Sequence, residues 1–297
     1  MSLKMKLVYL LVKNMSRKMF SSGMIDVDKC RAVLKKAYNG HLVEKGVKME
    51  LTTLGGVETA IFTLEHCTDK NIVYYAHGGG LVTGDRLTAG PYASQLALET
   101  GCRVVSCSYR LAPEDPFPAG LDDTFAVYKA LRDQNPKSKI CVIGESGGAY
   151  LTLALALKAK QEDAPLPDGL VMNSVVADMS GQKVIRRDSP RETTVSVRGM
   201  EALQKLYAPD CDLTNPLISC IYADFKGLPP MRVVYDRDEC LAVDSKAVIQ
   251  KAKAAGVLVE SEEYTGCFHA FTTTGKDTPE SALELKRSAA FMKRIFA

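Results

Sequence analysis

Apolar, strand-like runs alternate with helix-like segments along most of this chain, and this alternation constrains the fold more than any other feature. Continuous apolar strands that lead into helices are typical of a mostly parallel sheet that helices cover on both faces. The loop between the first two runs is short, so we expect that edge of the sheet to be antiparallel. The eight predicted strands are 47–53, 58–64, 72–76, 103–107, 140–143, 169–173, 231–235 and 257–264.

Several predicted helices carry recognisable start signals. Asp26 is expected to cap a helix over 27–39, and Pro91 suits a first-turn position. Asp244 is interpreted as the N-cap of a later helix. The chain of 297 residues is long enough for one large α/β domain. Further helices are predicted near 90–100, 120–133, 148–161, 199–207, 244–255 and 279–295.

Positive charge is concentrated near the start of the chain. The net charge is +3, but residues 1–50 hold 11 Lys and Arg against 4 Asp and Glu. A basic amphipathic helix can lie on an anionic membrane, but more often its apolar face packs on the protein. We expect packing here. The predicted apolar face comprises Val8, Leu11, Val12, Met15 and Met19, opposite Lys6, Lys13 and Arg17.

Several classes of protein and site are not indicated. No long tract of like charge suggests nucleic-acid binding, and no apolar run approaches the ~18 residues that cross a bilayer. The nine cysteines form no C-x-x-C pair, so neither a zinc site nor a disulfide framework is indicated. We therefore expect reduced thiols, a cytoplasmic location and no metal.

Residues 140–148 place a serine between a predicted strand and a helix. The apolar run 140–143 ends at G-E-S-G-G, and a helix-forming run follows. In this context the pattern predicts a nucleophile elbow, with Ser146 at a strained turn and Gly144 and Gly148 allowing a close approach of strand and helix. The alternative is an ordinary loop rich in Ser and Gly, and the rest of the chain must decide.

Four histidines are candidates for the base that a serine nucleophile requires. His41 and His66 lie away from predicted carboxyl ends of parallel strands, where open sheets bind their ligands, whereas His77 and His269 follow strands. In hydrolases with this sheet architecture the triad residues occur in the order Ser, acid, His. Only His269 fits that order after Ser146.

Two aspartates lie between Ser146 and His269 at a predicted strand end. Asp236 and Asp238 follow the strand 231–235. A carboxylate there would orient the imidazole and stabilise its cation. The residues alone leave both candidates open, and at least one must be an ordinary solvated turn residue.

A run of three glycines follows His77 at the end of the strand 72–76. Backbone N–H groups that no side chain shields can stabilise an oxyanion, together with the N–H of Gly147. A phosphate-binding loop is the competing interpretation, but the Gly-Lys-Ser/Thr ending is absent. A plain flexible turn remains as a further alternative.

Together these motifs resemble the hormone-sensitive-lipase-like branch of the α/β-hydrolases, which bacterial carboxylesterases of this size represent. The resemblance extends over about residues 70–271. Besides H-G-G-G and G-E-S-G-G it includes Y-R-L-A-P-E at 109–114, F-P-A-G-L-D-D at 117–123, N-P-L-I-S at 215–219 and G-L-P-P at 227–230.

The resemblance implies a nucleophile, a base and an oxyanion hole, which are respectively Ser146, His269, and Gly79 and Gly80 with Gly147. For the acid, the D-E-x-L-x-x-D-S part of the family pattern G-x-D-E-x-L-x-x-D-S matches residues 238–245 and favours Asp238, with Asp236 in reserve. Glu145 and Gly147 replace the usual Asp and Ala of the elbow. The chemistry is kept, because the oxyanion donor is a backbone group.

The fold implied by the resemblance is that of an α/β-hydrolase. We expect a mostly parallel eight-stranded sheet with helices on both faces, and a helical cap built from about 1–45 and about 181–208. The expected activity is that of a serine carboxylesterase on short-chain esters, with no cofactor.

One alternative stays open, a deacetylase or lactonase that acts on one metabolite ester. A binding protein on the hydrolase frame, like the plant gibberellin receptors, is strongly disfavoured, because those receptors have lost the histidine that this chain keeps as His269. A small-molecule ester is the expected partner, and a homodimer is left open.

Overall fold

An eight-stranded, mostly parallel sheet lies at the centre of the residues that the computed structural model describes, which are 1–16, 23–37, 43–67, 70–192 and 194–297. The strand order is β1-β2-β4-β3-β5-β6-β7-β8. β2 pairs antiparallel with both β1 and β4, and the other neighbours are parallel. The strands are β1 Val47–Leu54, β2 Val57–Leu64, β3 Ile72–Ala76, β4 Arg103–Cys107, β5 Ile140–Glu145, β6 Gly169–Asn173, β7 Met231–Asp236 and β8 Val259–Tyr264.

All eight predicted strands and the antiparallel edge are confirmed, with every strand end within two residues of its predicted place. Within the described ranges the helices are α1 Leu3–Ser16, α2 Val27–Ala37, α3 Gly90–Thr100, α4 Ala119–Gln134, α5 Gly147–Gln161, α6 Val197–Tyr207, α7 Ala242–Ala254 and α8 Pro279–Phe296. Residues 38–39, the predicted end of α2, lie outside the described residues.

Two predicted caps have different outcomes. Asp26 caps α2 as expected, because its Oδ1 accepts a hydrogen bond from the Lys29 backbone N–H at 2.9 Å. Asp244 is not an N-cap, because α7 begins at Ala242 and Asp244 lies buried in its first turn. There it accepts hydrogen bonds from the Arg186 guanidinium and from the backbone N–H groups of Ala177 and Asp178. The sequence-local interpretation fails because the true partners come from a distant segment.

The central strands β3, β5, β6 and β7 are buried along their whole length. Alternate side chains of a strand point to opposite faces, so each strand contributes to two cores. Val142 belongs to the core on one face of β5, and Ile143 belongs to the core on the other. The continuous apolar runs of the sequence are explained by this double coverage.

Helix α1 packs with one face against the region that precedes and follows His269. Met5 is fully buried beside Phe268 and Phe271, and Val8, Tyr9 and Val12 pack around them. The predicted face is therefore partly wrong: Leu11 is 70% exposed. The Met15 side chain and residues 17 and 19 lie outside the described part of the chain. Among the described residues, no helix combines the length and apolarity needed to span a bilayer.

Candidate active site

The chain turns sharply between β5 and α5 at Ser146, which has φ 54° and ψ −120°. This strained backbone conformation projects the serine at the carboxyl end of the sheet. A Cβ on Gly144 would lie 2.3 Å from the Gly148 carbonyl oxygen, and one on Gly148 would lie 2.0 Å from that of Ala76. Neither position can carry a side chain, so these glycines allow the close approach that forms the turn.

The His269 imidazole lies directly against this serine. Its Nε2 is 2.8 Å from Ser146 Oγ, and its ring is buried in the loop after β8. The structure thus brings together the two side chains that the sequence paired. His66 is exposed in the turn after β2, and residue 41 lies outside the described residues.

A buried carboxylate, that of Glu239, contacts the other nitrogen of His269. Its Oε2 is 3.4 Å from Nδ1, a separation common for catalytic contacts before substrate binds. Burial raises the pKa of Glu239 to about 7, although the nearby His269 opposes this. Burial alone would lower the pKa of His269, but the adjacent Glu239 carboxylate outweighs it and raises that pKa.

The choice of Asp238 as the carboxylate beside His269 is corrected by this geometry. Asp238 pairs instead with Arg191: its Oδ2 lies 3.1 Å from Arg191 Nε in a half-exposed ion pair. Asp236 is also not the neighbour: its carboxylate accepts the backbone N–H groups of Asp238 at 2.9 Å and Cys267 at 2.7 Å. The turn after β7 directs its third residue inward, and that residue is the glutamate.

The glycine run after β3 lies in the wall of the same cavity as Ser146. Gly79 and Gly80 have φ of 112° and 64°, which side chains rarely adopt. Gly147 is the first residue of α5, so its N–H has no intrahelical acceptor. His77 supports the run: its ring stacks on Tyr109 with centroids 4.3 Å apart.

A cavity of about 380 Å³ has Ser146 and His269 in its wall, and the rest of the described lining is mostly apolar. Part of the wall comes from the first 45 residues, through Val12, Val33 and Leu34. Another part comes from the segment after β6 and from α6: Thr194, Val195, Met200, Leu203, Gln204 and Tyr207. None of the described lining residues is Lys, Arg or Asp.

Comparison with known proteins identifies the family. A sequence model of the alpha/beta hydrolase fold matches residues 73–273. A solved structure described as a hormone-sensitive lipase from a metagenome library superposes with a TM-score of 0.89 at 31% identity, covering 99% of this chain and 98% of its own. The chain belongs to the hormone-sensitive-lipase-like branch of the α/β-hydrolases.

Two curated relatives of this α/β-hydrolase agree with that assignment. The chain is 34% identical to an esterase of Acinetobacter venetianus over 223 residues, which cover 74% of each chain. It is 29% identical to an acetyl-hydrolase of Streptomyces hygroscopicus over 78% of this chain and 82% of that protein.

Two polar residues that support the hydrolase site were missed by sequence reasoning. Ser174 Oγ donates to Glu239 Oε2 at 2.8 Å and accepts from the Ala270 backbone N–H at 3.0 Å. Glu192 Oε2 accepts from the Cys240 backbone N–H at 2.8 Å. Ser174 directly follows β6, and a polar residue at a strand's carboxyl end is the signal that could have identified it.

Glu145 links the elbow of this hydrolase to its glycine run. Its Oε1 accepts from the Gly78 backbone N–H at 2.6 Å and from the Tyr75 hydroxyl at 2.9 Å. Burial raises the pKa of Glu145 to about 8, although the hydrogen bonds from Gly78 and Tyr75 oppose this, so the site disfavours a charged side chain. An uncharged side chain with the same acceptor oxygen should therefore replace it well.

Substitution of Glu145 tests this link. We expect Glu145→Ala to lower kcat about tenfold to hundredfold with little change in KM, because the Gly78 N–H loses its buried acceptor and the neighbouring donors shift. Glu145→Gln should stay within about threefold of wild type at pH 7. Steady-state kinetics on a soluble p-nitrophenyl ester measures both. Equal activity of the two variants would show that Glu145 does not position the glycine run.

The pH profile of kcat/KM should carry the signature of the Glu239–His269 pair. His269 can accept a proton only when its imidazole is neutral, so activity falls as the pH drops through its pKa. Since the Glu239 carboxylate raises that pKa, we expect the midpoint of the acid limb above the usual value of about 6.5. A midpoint below about 6 would contradict this electrostatic arrangement.

Proposed function

We propose that this carboxylic ester hydrolase works as a serine carboxylesterase, with Ser146 as nucleophile, His269 as general base and acid, and Glu239 as the orienting carboxylate. The observation that carries the proposal is the 2.8 Å separation of Ser146 Oγ and His269 Nε2 at a strained elbow. The esterase and acetyl-hydrolase names of its relatives support the reaction class.

The first half-reaction forms an acyl-enzyme. His269 Nε2 takes the proton from Ser146 Oγ as this oxygen attacks the ester carbonyl carbon. The backbone N–H groups of Gly79, Gly80 and Gly147 donate to the resulting oxyanion, and Glu239 stabilises the imidazolium. The C–O bond to the alcohol breaks, and the alcohol leaves with the proton from His269.

The second half-reaction releases the acid. A water molecule attacks the acyl carbon of the Ser146 ester while His269 Nε2 takes its proton. The tetrahedral intermediate again places its negative oxygen on the glycine N–H groups. It collapses with return of the proton to Ser146 Oγ, and the carboxylic acid leaves.

The substrates that suit the cavity are neutral, short-chain esters. The described part of the wall is largely apolar and holds no Lys or Arg, so it offers no partner for a second carboxylate or a phosphate on the substrate. We assign the wall contributed by residues 1–45 and 181–208 to a cap that limits the length of the acyl chain. The described parts of both segments contact the cavity, which supports this assignment.

A specific acetyl ester is a second candidate substrate, because the Streptomyces hygroscopicus relative is named an acetyl-hydrolase. This candidate keeps the same chemistry. It is distinguished by a panel of acetylated sugars, lactones and simple esters compared by kcat/KM.

The proposal includes a cytoplasmic location. Within the described residues no cysteine is joined to another by a disulfide. Most of the cysteine side chains are buried. Thiols kept reduced are typical of a cytoplasmic protein, and this supports the assignment.

An acyl-length series on p-nitrophenyl esters, run with Ser146→Ala beside wild type, tests the proposal. We expect kcat/KM to be highest for acetate or butyrate and to fall for longer chains, and Ser146→Ala to lose at least about 10³-fold on every ester. Wild-type hydrolysis by Ser146→Ala would refute the nucleophile. A rate that keeps rising to long acyl chains would refute the limit set by the cap.

A further inference from the structure

Helix α1 is apolar on both of its faces. Its inner face packs on the body of the protein through Met5 and its neighbours. Its outer face also carries large apolar side chains, Leu3, Leu7, Leu10 and Leu11, which are 75%, 56%, 54% and 70% exposed. At about 3.6 residues per turn these four leucines form one continuous stripe along the helix.

Such a stripe is unusual for a helix on a protein surface, whose outer face is normally polar. Single exposed leucines are ordinary, and the chain has them elsewhere, for example Leu51 on β1 and Leu283 on α8. Four on one helical face are a different feature, because together they form a contiguous apolar surface.

Lysines border the stripe on both sides. Lys4 lies on one side and Lys6 on the other, and both are exposed; Lys13 follows Lys6 two turns later. The first 25 residues contain no Asp or Glu. The charged residues that α1 itself places beside the stripe are thus all basic, and the long lysine stems can lie beside the leucines while their ammonium groups reach outward.

We propose that the outer face of α1 docks on an anionic lipid surface, with its leucines in the acyl boundary and its lysines at the headgroups. An apolar stripe flanked by lysines is the geometry of a helix that lies in a membrane interface. With 14 residues, α1 is about 21 Å long, too short to cross a hydrocarbon core of about 30 Å. Docking along the surface is the mode that this length fits.

Charge favours a lipid surface over a second copy of this chain. Two α1 faces packed against each other would bring the lysine borders of both copies together without any acidic residue on either helix. An anionic headgroup layer instead supplies the negative charge that these lysines lack.

Because α1 lies beside the cavity, docking of this helix would also position the cavity relative to the lipid surface. Its inner face contacts Phe268, the residue before His269, and Val12 lines the cavity. A docked helix would hold the cavity close to the lipid surface, where apolar esters concentrate. The docking itself does not depend on the proposed ester hydrolysis, and its failure would leave that proposal intact.

Co-sedimentation of the full chain with vesicles tests the proposal. Wild type should sediment with phosphatidylcholine vesicles that contain phosphatidylglycerol, more weakly at high salt, and little with phosphatidylcholine alone. Leu3→Gln/Leu7→Gln/Leu10→Gln and Lys4→Gln/Lys6→Gln/Lys13→Gln should each bind at least about tenfold more weakly. The matched control is Leu51→Gln/Leu258→Gln/Leu283→Gln, which removes three exposed leucines elsewhere and should bind like wild type.

The results distinguish a lipid surface from a second copy of this chain as the partner of the leucine stripe. Unchanged hydrolysis of soluble p-nitrophenyl acetate by the α1 variants shows that they remain folded. Absence of wild-type binding to anionic vesicles at low salt overturns the proposal, as does equal loss of binding in the control. A wild-type dimer in gel filtration that the α1 leucine variant dissociates also overturns it, because a second copy would then cover the stripe.

Discussion

The close approach of α5 to the ends of β3 and β5 is the constraint on which the rest of the site depends. It exists because residues 144 and 148 are glycines, each with a backbone oxygen within 2.3 Å of where a Cβ would lie. The turn between them holds Ser146 in a conformation that side chains seldom adopt. The same turn places the N–H of Gly147 beside the serine, so that one backbone arrangement supplies both the proposed nucleophile and a proposed oxyanion donor.

The carboxylate side of the site is held by contacts from several segments. Ser174, after β6, bridges Glu239 and the loop of His269, and Asp236 ties that loop to the turn after β7. Glu192 and Arg191, from the segment before α6, bind the same turn through Cys240 and Asp238. The segment that walls the cavity is therefore attached directly to the turn that carries Glu239. We expect changes in this segment to alter both substrate fit and the basicity of His269.

The parts of the site that follow from local sequence were predicted, and the parts that depend on distant contacts were not. Apolar runs and glycines mark the positions of the eight strands, Ser146 and His269 to within a few residues. The turn at 236–239 offers three carboxylates in four residues, and which one faces His269 depends on how the turn winds, not on residue type. Asp244 was misinterpreted because Arg186, its partner, lies in another segment. The buried face of α1 was only partly predicted, because both faces of that helix are apolar.

The most direct test of the central claim compares Glu239→Gln with Asp238→Asn. The two residues are neighbours in sequence, and both substitutions remove one carboxylate charge with little change of shape. If Glu239 orients His269, Glu239→Gln lowers kcat/KM for p-nitrophenyl acetate by about 10³-fold or more, whereas Asp238→Asn stays within about threefold of wild type. A severe loss in Asp238→Asn together with near-normal activity in Glu239→Gln would contradict the account.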